Sequence, residues 1–302
     1  MTLPRISIII PSYNQGVYLE QAICSVLEQD YPDLELLVVD GGSADNSLEI
    51  LRKYENRLAW WVSEPDRGQS QAINKGFARA TGDIITFLSS DDLYLPGALA
   101  DVAAQYRQNP QAGAIIGAFS FWDAGQPAPG APILPFLKIP APCDLTLGPP
   151  AVYRLHQAAT FYTRVALDSV GRNVREDLRY VMDRELLYRI CRRFPLALSA
   201  VPYGAFRRHP ESKSVAEILP FAREFAQIYR EALTGEPVYE RQRHKMANYR
   251  LARGYVKYAN AVRSPLRRFG FLLMAVGINP SLIFSTSYWS FYFKQKGEPH
   301  VS

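Results

Sequence analysis

The feature that most constrains the fold is a series of short, unbroken apolar runs, each followed by a helical stripe. Residues 6–10, 34–39, 58–62, 84–88 and 114–119 read as strands. Between them, residues 18–29 carry Leu19, Ile23, Val26 and Leu27 at helical spacing, and residues 71–80 carry Ala72, Ile73, Phe77 and Ala80. Residues 46–54 and 99–106 are two further helices, the first opened by Asn46 and Glu49 as a capping pair. Strands that are apolar on both faces and alternate with helices predict an α/β fold, a parallel sheet covered on each side. Ligands of such sheets sit beyond the carboxyl ends of the strands. Three polar clusters stand at those ends: Pro11-Ser12-Tyr13-Asn14, Asp40-Gly41-Gly42-Ser43 and Ser90-Asp91-Asp92.

The last cluster sets two carboxylates side by side at the end of a buried run. Their repulsion needs an offset. Water, a basic neighbour, a helix N-terminus and a divalent cation are the options. Oxygen ligands of this kind suit Mg²⁺ or Mn²⁺, which take one or two protein carboxylates and complete their shell with water and phosphate oxygens. The alternative is that Asp91 or Asp92 caps the following helix. The glycines after Asp40 mark a tight turn with close backbone approach. No G-x-G-x-x-G follows the first strand and no P-loop lysine motif occurs, so a dinucleotide or P-loop phosphate cradle is not expected.

The stretches ISIIIPSYN, VVDGGS, DRGQSQAINKG and FLSSDD, followed by HQAATF, VMDREL and RRHPESKS, together resemble family 2 glycosyltransferases of the GT-A fold, in the bacterial surface-polysaccharide subgroup, over residues 4–215. The resemblance implies a Rossmann-like, mostly parallel sheet over residues 1–215 and inverting transfer of a sugar from a nucleotide donor, a UDP-sugar, to an acceptor hydroxyl. It carries nucleotide contacts onto Pro11, Tyr13, Asp40 and Asp91, and onto Asp66 and Gln69 in a loop closing over the donor. Metal contact falls on Asp92, with Mn²⁺ or Mg²⁺ as cofactor, and His209 is a further possible ligand. Asp183 becomes the general base, with Glu185 as rival and helix capping as its plain structural role. Gln157, Arg208 and Lys213 are candidates for acceptor or phosphate contacts. Transfer to a polyprenyl phosphate and a non-catalytic glycan- or nucleotide-binding relative are the other readings.

Charge is divided along the chain. Residues 241–297 hold 11 Lys/Arg and no Asp or Glu, whereas the remaining 23 Lys/Arg face all 29 Asp/Glu. Arg250, Arg253 and Lys257 share a helical face, and residues 269–293 contain no charge. A basic, helical extension over residues 216–302 is expected, with an anionic membrane surface as its partner. The uncharged stretch could lie in the interface, span a bilayer or pack as a hairpin, with Asn279-Pro280 interrupting it. No nucleic-acid module is recognisable, so no nucleic-acid partner is expected. Cys24, Cys143 and Cys191 form no CxxC pair, and the N-terminus lacks a signal-peptide core. The expected location is the cytoplasm, peripheral on the inner membrane face. Eight prolines between residues 126 and 150 forbid regular helix there and predict an irregular rim loop.

Overall fold

The computed structural model describes residues 3–123, 126–134, 155–213, 217–231, 237–262 and 264–280. The chain divides into two units, residues 1–212 and 213–302. The strands of the first are β1 (Ile6–Ser12), β2 (Leu34–Asp40), β3 (Trp60–Ser63), β4 (Ile84–Phe87), β5 (Leu93–Tyr94), β6 (Ala114–Asp123), β7 (Thr160–Thr163) and β8 (Leu196–Arg208). Its helices are α1 (Gly16–Leu27), α2 (Ser47–Tyr54), α3 (Gln69–Arg79), α4 (Ala98–Gln108), α5 (Arg164–Ser169) and α6 (Met182–Cys191). The strands make one sheet in the order β3-β2-β1-β4-β7-β6-β8-β5.

The first half follows the expected pattern. β1 runs parallel to β2 and β4, and β2 parallel to β3. Ile6, Ile8 and Ile10 bury one face of β1 against Leu19, Ile23 and Val26 of α1, as the periodicity demands. The second half departs from it. β7 pairs antiparallel with β4 and β6, and β5 antiparallel with β8. The four-residue β7 and the thirteen-residue β8 escape periodicity reading because one is too short and the other contains Pro202, Gly204 and a register irregularity against β6.

Two local expectations are corrected. Asn46 is the N-cap of α2 but makes no side-chain cap bond; Asp45 instead accepts from Ser47 N–H (3.0 Å) and Gly16 N–H (2.8 Å), tying the starts of α2 and α1. Neither Asp91 nor Asp92 caps a helix. They run directly into β5, and α4 is preceded by its N-cap Gly97, whose φ of +81° suits glycine. The proline-rich loop is described only over residues 126–134, where Ile133 bridges Phe119; the rest lies outside the described residues.

His156 anchors the return of the chain after that loop. Its ring packs against Phe119 (centroids 5.0 Å) and Phe206 (4.5 Å), and Nδ1 accepts from Ala158 N–H. Burial, assisted by the Arg184 guanidinium, pulls its pKa down to about 3, so the native ring is neutral.

In the second unit, α7 (Ile218–Glu231), α8 (Pro237–Ala261) and α9 (Pro265–Ile278) form a helical array. Arg250 lies over the Phe225 ring (5.0 Å), and Gly254 lets α8 approach Ala222, where an added Cβ would come within 2.3 Å. Ala252 and Ala275 are the buried contact of α8 with α9, ringed by Tyr249, Tyr255, Leu272 and Val276. The basic face expected on α8 is therefore not bare: Arg250 and Arg253 cover the rings of Phe225 and Tyr249. No described helix is long and apolar enough to cross a membrane, and residues 281–293 lie outside the described residues.

A histidine that is neutral when folded and titrates at its ordinary 6.5 when unfolded leaves the unfolded chain binding the extra proton. Stability therefore falls as pH drops from about 6.5 towards about 3. His156→Phe should show less acid destabilisation than wild type between pH 7 and pH 4 in urea unfolding, and equal losses would refute this origin.

Candidate active site

At the carboxyl edge of the sheet, the register sets Ser12, Asp40 and Ser63 side by side. Asp40 is fully buried and accepts from its own surroundings: Ser43 Oγ (2.5 Å) on Oδ1, and Gly42 N–H (3.1 Å), Ser43 N–H (2.9 Å) and Ser63 Oγ (2.7 Å) on Oδ2. This carboxylate organises the turn after β2. The turn in turn holds the end of β1: Asn14 N–H donates to Ser43 Oγ (2.7 Å) and Gly41 N–H to Ser12 O (2.8 Å). Pro11 is buried within β1, while the Tyr13 ring is 61% exposed at its end.

The loop after β3 leans onto the same turn. Asp66 accepts from Gly68 N–H (2.8 Å), and its Oδ2 lies 2.9 Å from where a Cβ on Gly41 would stand. A side chain at position 41 would displace that carboxylate. Gln69 then reaches Ser89 Oγ (3.3 Å) and links the loop to the end of β4.

The acidic turn is oriented by β8. Because β5 follows it at once and pairs Leu93 with Ala205, the turn lies alongside residues 206–209. Asp92 is 1% exposed and its Oδ1 accepts from Arg207 N–H (3.0 Å). Burial, then the neighbouring Asp91 charge, pushes its carboxyl well above the usual range, against the pull of Arg207. Asp91 instead presents Oδ2 to His209 Nε2 at 3.0 Å. The structure thus brings Asp91 and His209 together and turns Asp92 towards backbone. Beside His209, a hollow of about 280 Å³ is lined by Asn14, Gln15, Val17, Tyr18, Pro210 and Glu211. Among the described residues no group of three His, Cys, Asp or Glu side chains could hold a metal. The Asp91–His209 pair nevertheless fits a cation that takes two protein donors and fills its shell from elsewhere.

Asp183 stands in the first turn of α6, whose N-cap is Val181 with no side-chain cap. Burial raises its pKa, opposed by Arg184 and by backbone N–H groups of the helix start. The segment leading to it is fastened to α3: Ser70 Oγ donates to Leu178 O (2.9 Å), and Asn74 exchanges two bonds with the Val174 backbone. Glu185 is held by Arg189 Nε through both oxygens (2.9 and 3.0 Å). Gln157 donates to Phe87 O, at the end of β4. Arg208 forms a two-point ion pair with Asp123 (2.6 and 2.7 Å). Lys213 begins the second unit, its carbonyl accepting from Glu217 N–H (3.0 Å).

Sequence reading passed over Arg207, Tyr18, Trp122 and Ser63, which pack around or bond these groups. Arg207 sat in the quoted RRHP stretch, but nothing in that stretch distinguishes it from Arg208. Only the β6–β8 register, Trp122 to Arg207 and Asp123 to Arg208, separates them.

Residues 7–134 match the family model described as glycosyl transferase family 2. The GalNAc(5)-diNAcBac-PP-undecaprenol beta-1,3-glucosyltransferase of Campylobacter jejuni is 36% identical over 102 residues, 32% of this chain and 33% of that protein. The chain spans about a third of the length of the curated relatives it matches. The structure of S. aureus TarS 1-349 in complex with UDP-GlcNAc superposes with a TM-score of 0.67 at 19% identity, covering 95% of this chain and 81% of that one. Mannosyltransferase PcManGT from Pyrobaculum calidifontis, in complex with GDP-Man and Mn²⁺, gives 0.60 at 20% identity, covering 96% and 84%. These likenesses establish a GT-A-like fold. Over residues 7–134 the chain is thus similar to glycosyl transferase family 2.

Proposed function

We propose that this protein is an inverting, metal-dependent glycosyltransferase that moves a sugar from a UDP-sugar to a hydroxyl of a lipid-linked glycan. The observation that carries the reading is the meeting of four segments at one sheet edge: the Asp40 turn, the Asp66–Gln69 loop, the Ser89–Asp92 turn and the end of β8 at His209. The named relatives act on an undecaprenol-linked substrate or carry UDP-GlcNAc, which supports the donor and acceptor classes.

The nucleoside lies along Tyr13 and Asp66. Asp40, its acceptors already used, acts through the shape of its turn. Asp91 and His209 would hold Mn²⁺ or Mg²⁺, which when bound would supply positive charge against that gathering on the leaving diphosphate. Asp183 takes the proton of the acceptor hydroxyl as its oxygen bonds to the anomeric carbon and the bond to the diphosphate oxygen breaks; attack from the opposite side inverts that carbon. Such proton transfer contributes roughly 10²–10⁴-fold. Asp183 is favoured over Glu185 because the latter is committed to Arg189. Gln157 and, after loss of its Asp123 partner, Arg208 are assigned to acceptor contact.

The second unit docks the enzyme on the inner face of the plasma membrane. α9 exposes Leu266 (82%), Phe269 (59%), Leu273 (55%) and Met274 (53%) beside Arg267 and Arg268. An apolar stripe edged by arginines suits a helix lying in an anionic interface, where each basic group adds about 1 kcal/mol.

Asp183→Asn should keep UDP-induced thermal stabilisation while transfer falls ~100-fold or more. Since the base must be ionised and its pKa is raised, wild-type transfer should rise with pH through a midpoint above the ordinary 3.8; a flat profile down to that value would exclude Asp183 as the base. Asp91→Asn and His209→Ala should abolish the part of UDP stabilisation that depends on Mn²⁺, leaving the metal-free part. Phe269→Ser with Leu273→Ser should release the protein from phosphatidylglycerol vesicles in flotation, whereas undiminished flotation would remove α9 from the account.

A further inference from the structure

We infer that Arg207 is the positioning residue of the acidic turn, setting Asp91 towards His209 without itself meeting substrate or metal. The inference rests on the metal reading of Asp91 and His209. Five contacts converge on this arginine. Its backbone N–H holds Asp92 Oδ1 (3.0 Å), and its Nε donates to the carbonyl of Asp91 (2.9 Å). Nη2 is fixed by Gln21 Oε1 on α1 (2.6 Å). The guanidinium plane is sandwiched, 4.2 Å from the Trp122 ring centroid and 4.9 Å from that of Tyr18.

The same Tyr18 ring lies 4.9 Å from the His209 imidazole. One stack of side chains therefore fixes both members of the Asp91–His209 pair. Backbone strands alone do not do this: β5 contributes two residues to the sheet, and the turn between β4 and β5 is closed by one backbone bond, Asp92 N–H to Ser89 O (3.0 Å). A guanidinium is suited to the task because it is planar, always charged and donates along fixed directions while its faces stay on aromatic rings. Lysine at 207 would keep the charge and lose both the fork and the stack.

The experiment is direct Mn²⁺ titration of the full chain in the presence of saturating UDP, with free Mn²⁺ read from its electron paramagnetic resonance signal, and with metal-free melting temperatures measured in parallel. Arg207→Lys and Trp122→Leu should each weaken Mn²⁺ binding about tenfold or more, the scale of one charge-assisted hydrogen bond. Arg79→Lys, which disturbs a like arginine stack on Trp60 (4.4 Å) away from the sheet edge, should leave it unchanged. Lower melting temperatures with unaltered Mn²⁺ affinity in Arg207→Lys and Trp122→Leu would reduce Arg207 to a fastening of β8 and overturn the inference alone. Wild-type protein that binds no Mn²⁺ with UDP would overturn the metal reading and this inference together. Trp122→Leu leaves every hydrogen bond of Arg207 in place, so its result stands even where Arg207→Lys does not fold.

Discussion

Adjacent carboxylates at the end of a buried strand have to be separated in environment before they can share a function. Here one of them, Asp92, goes inward to a backbone N–H, and the other, Asp91, goes to an imidazole. A hydrogen bond to a charged group contributes roughly 1.5–3 kcal/mol, which offsets part of the desolvation of Asp92. That division is imposed by the antiparallel pairing of β5 with β8. Remove the pairing and the turn has no neighbour to receive either acid. The sheet's second half, which reverses direction at β7, brings residues 207–209 to this place.

The other acids at the edge show the same economy. Asp40 spends its oxygens on Gly42, Ser43 and Ser63, so it shapes the floor of the site, and Asp66 sits on Gly41 where any side chain would collide with it. One carboxylate makes the turn and another occupies it. The exposed ion pairs elsewhere, such as Arg208 with Asp123, each contribute little to stability in water; their effect is to take a side chain out of circulation or to hold one orientation.

Much of this was legible beforehand because it is local. The parallel half of the sheet, α1 to α4 and the three polar clusters at strand ends follow from periods of apolar residues and from the residue types that must come next. What was not legible depends on pairing between distant segments. The Asn46 capping pair was read from spacing alone, yet Asp45 does the bonding because Gly16 lies against it in space. The resemblance put the metal on Asp92 and the nucleotide on Asp91, whereas the fold turns Asp92 to a backbone N–H and Asp91 to His209. β8 looked like no strand at all, since Pro202 and Gly204 interrupt its pattern. On α8, Arg250, Arg253 and Lys257 read as one basic face for an anionic surface, but Arg250 and Arg253 lie over aromatic rings.

By itself, then, the order of residues determined an α/β sheet with acids gathered at the carboxyl ends of its strands, because strand direction and side-chain period are properties of neighbouring residues. Which acid faces His209, which one is buried, and which arginine of the 207–208 pair lies between two rings were decided only by tertiary structure. The physical reason is that each choice is made by a register between strands distant in sequence, where a shift of one position would exchange Arg207 for Arg208 and turn the stack to the other side of the sheet.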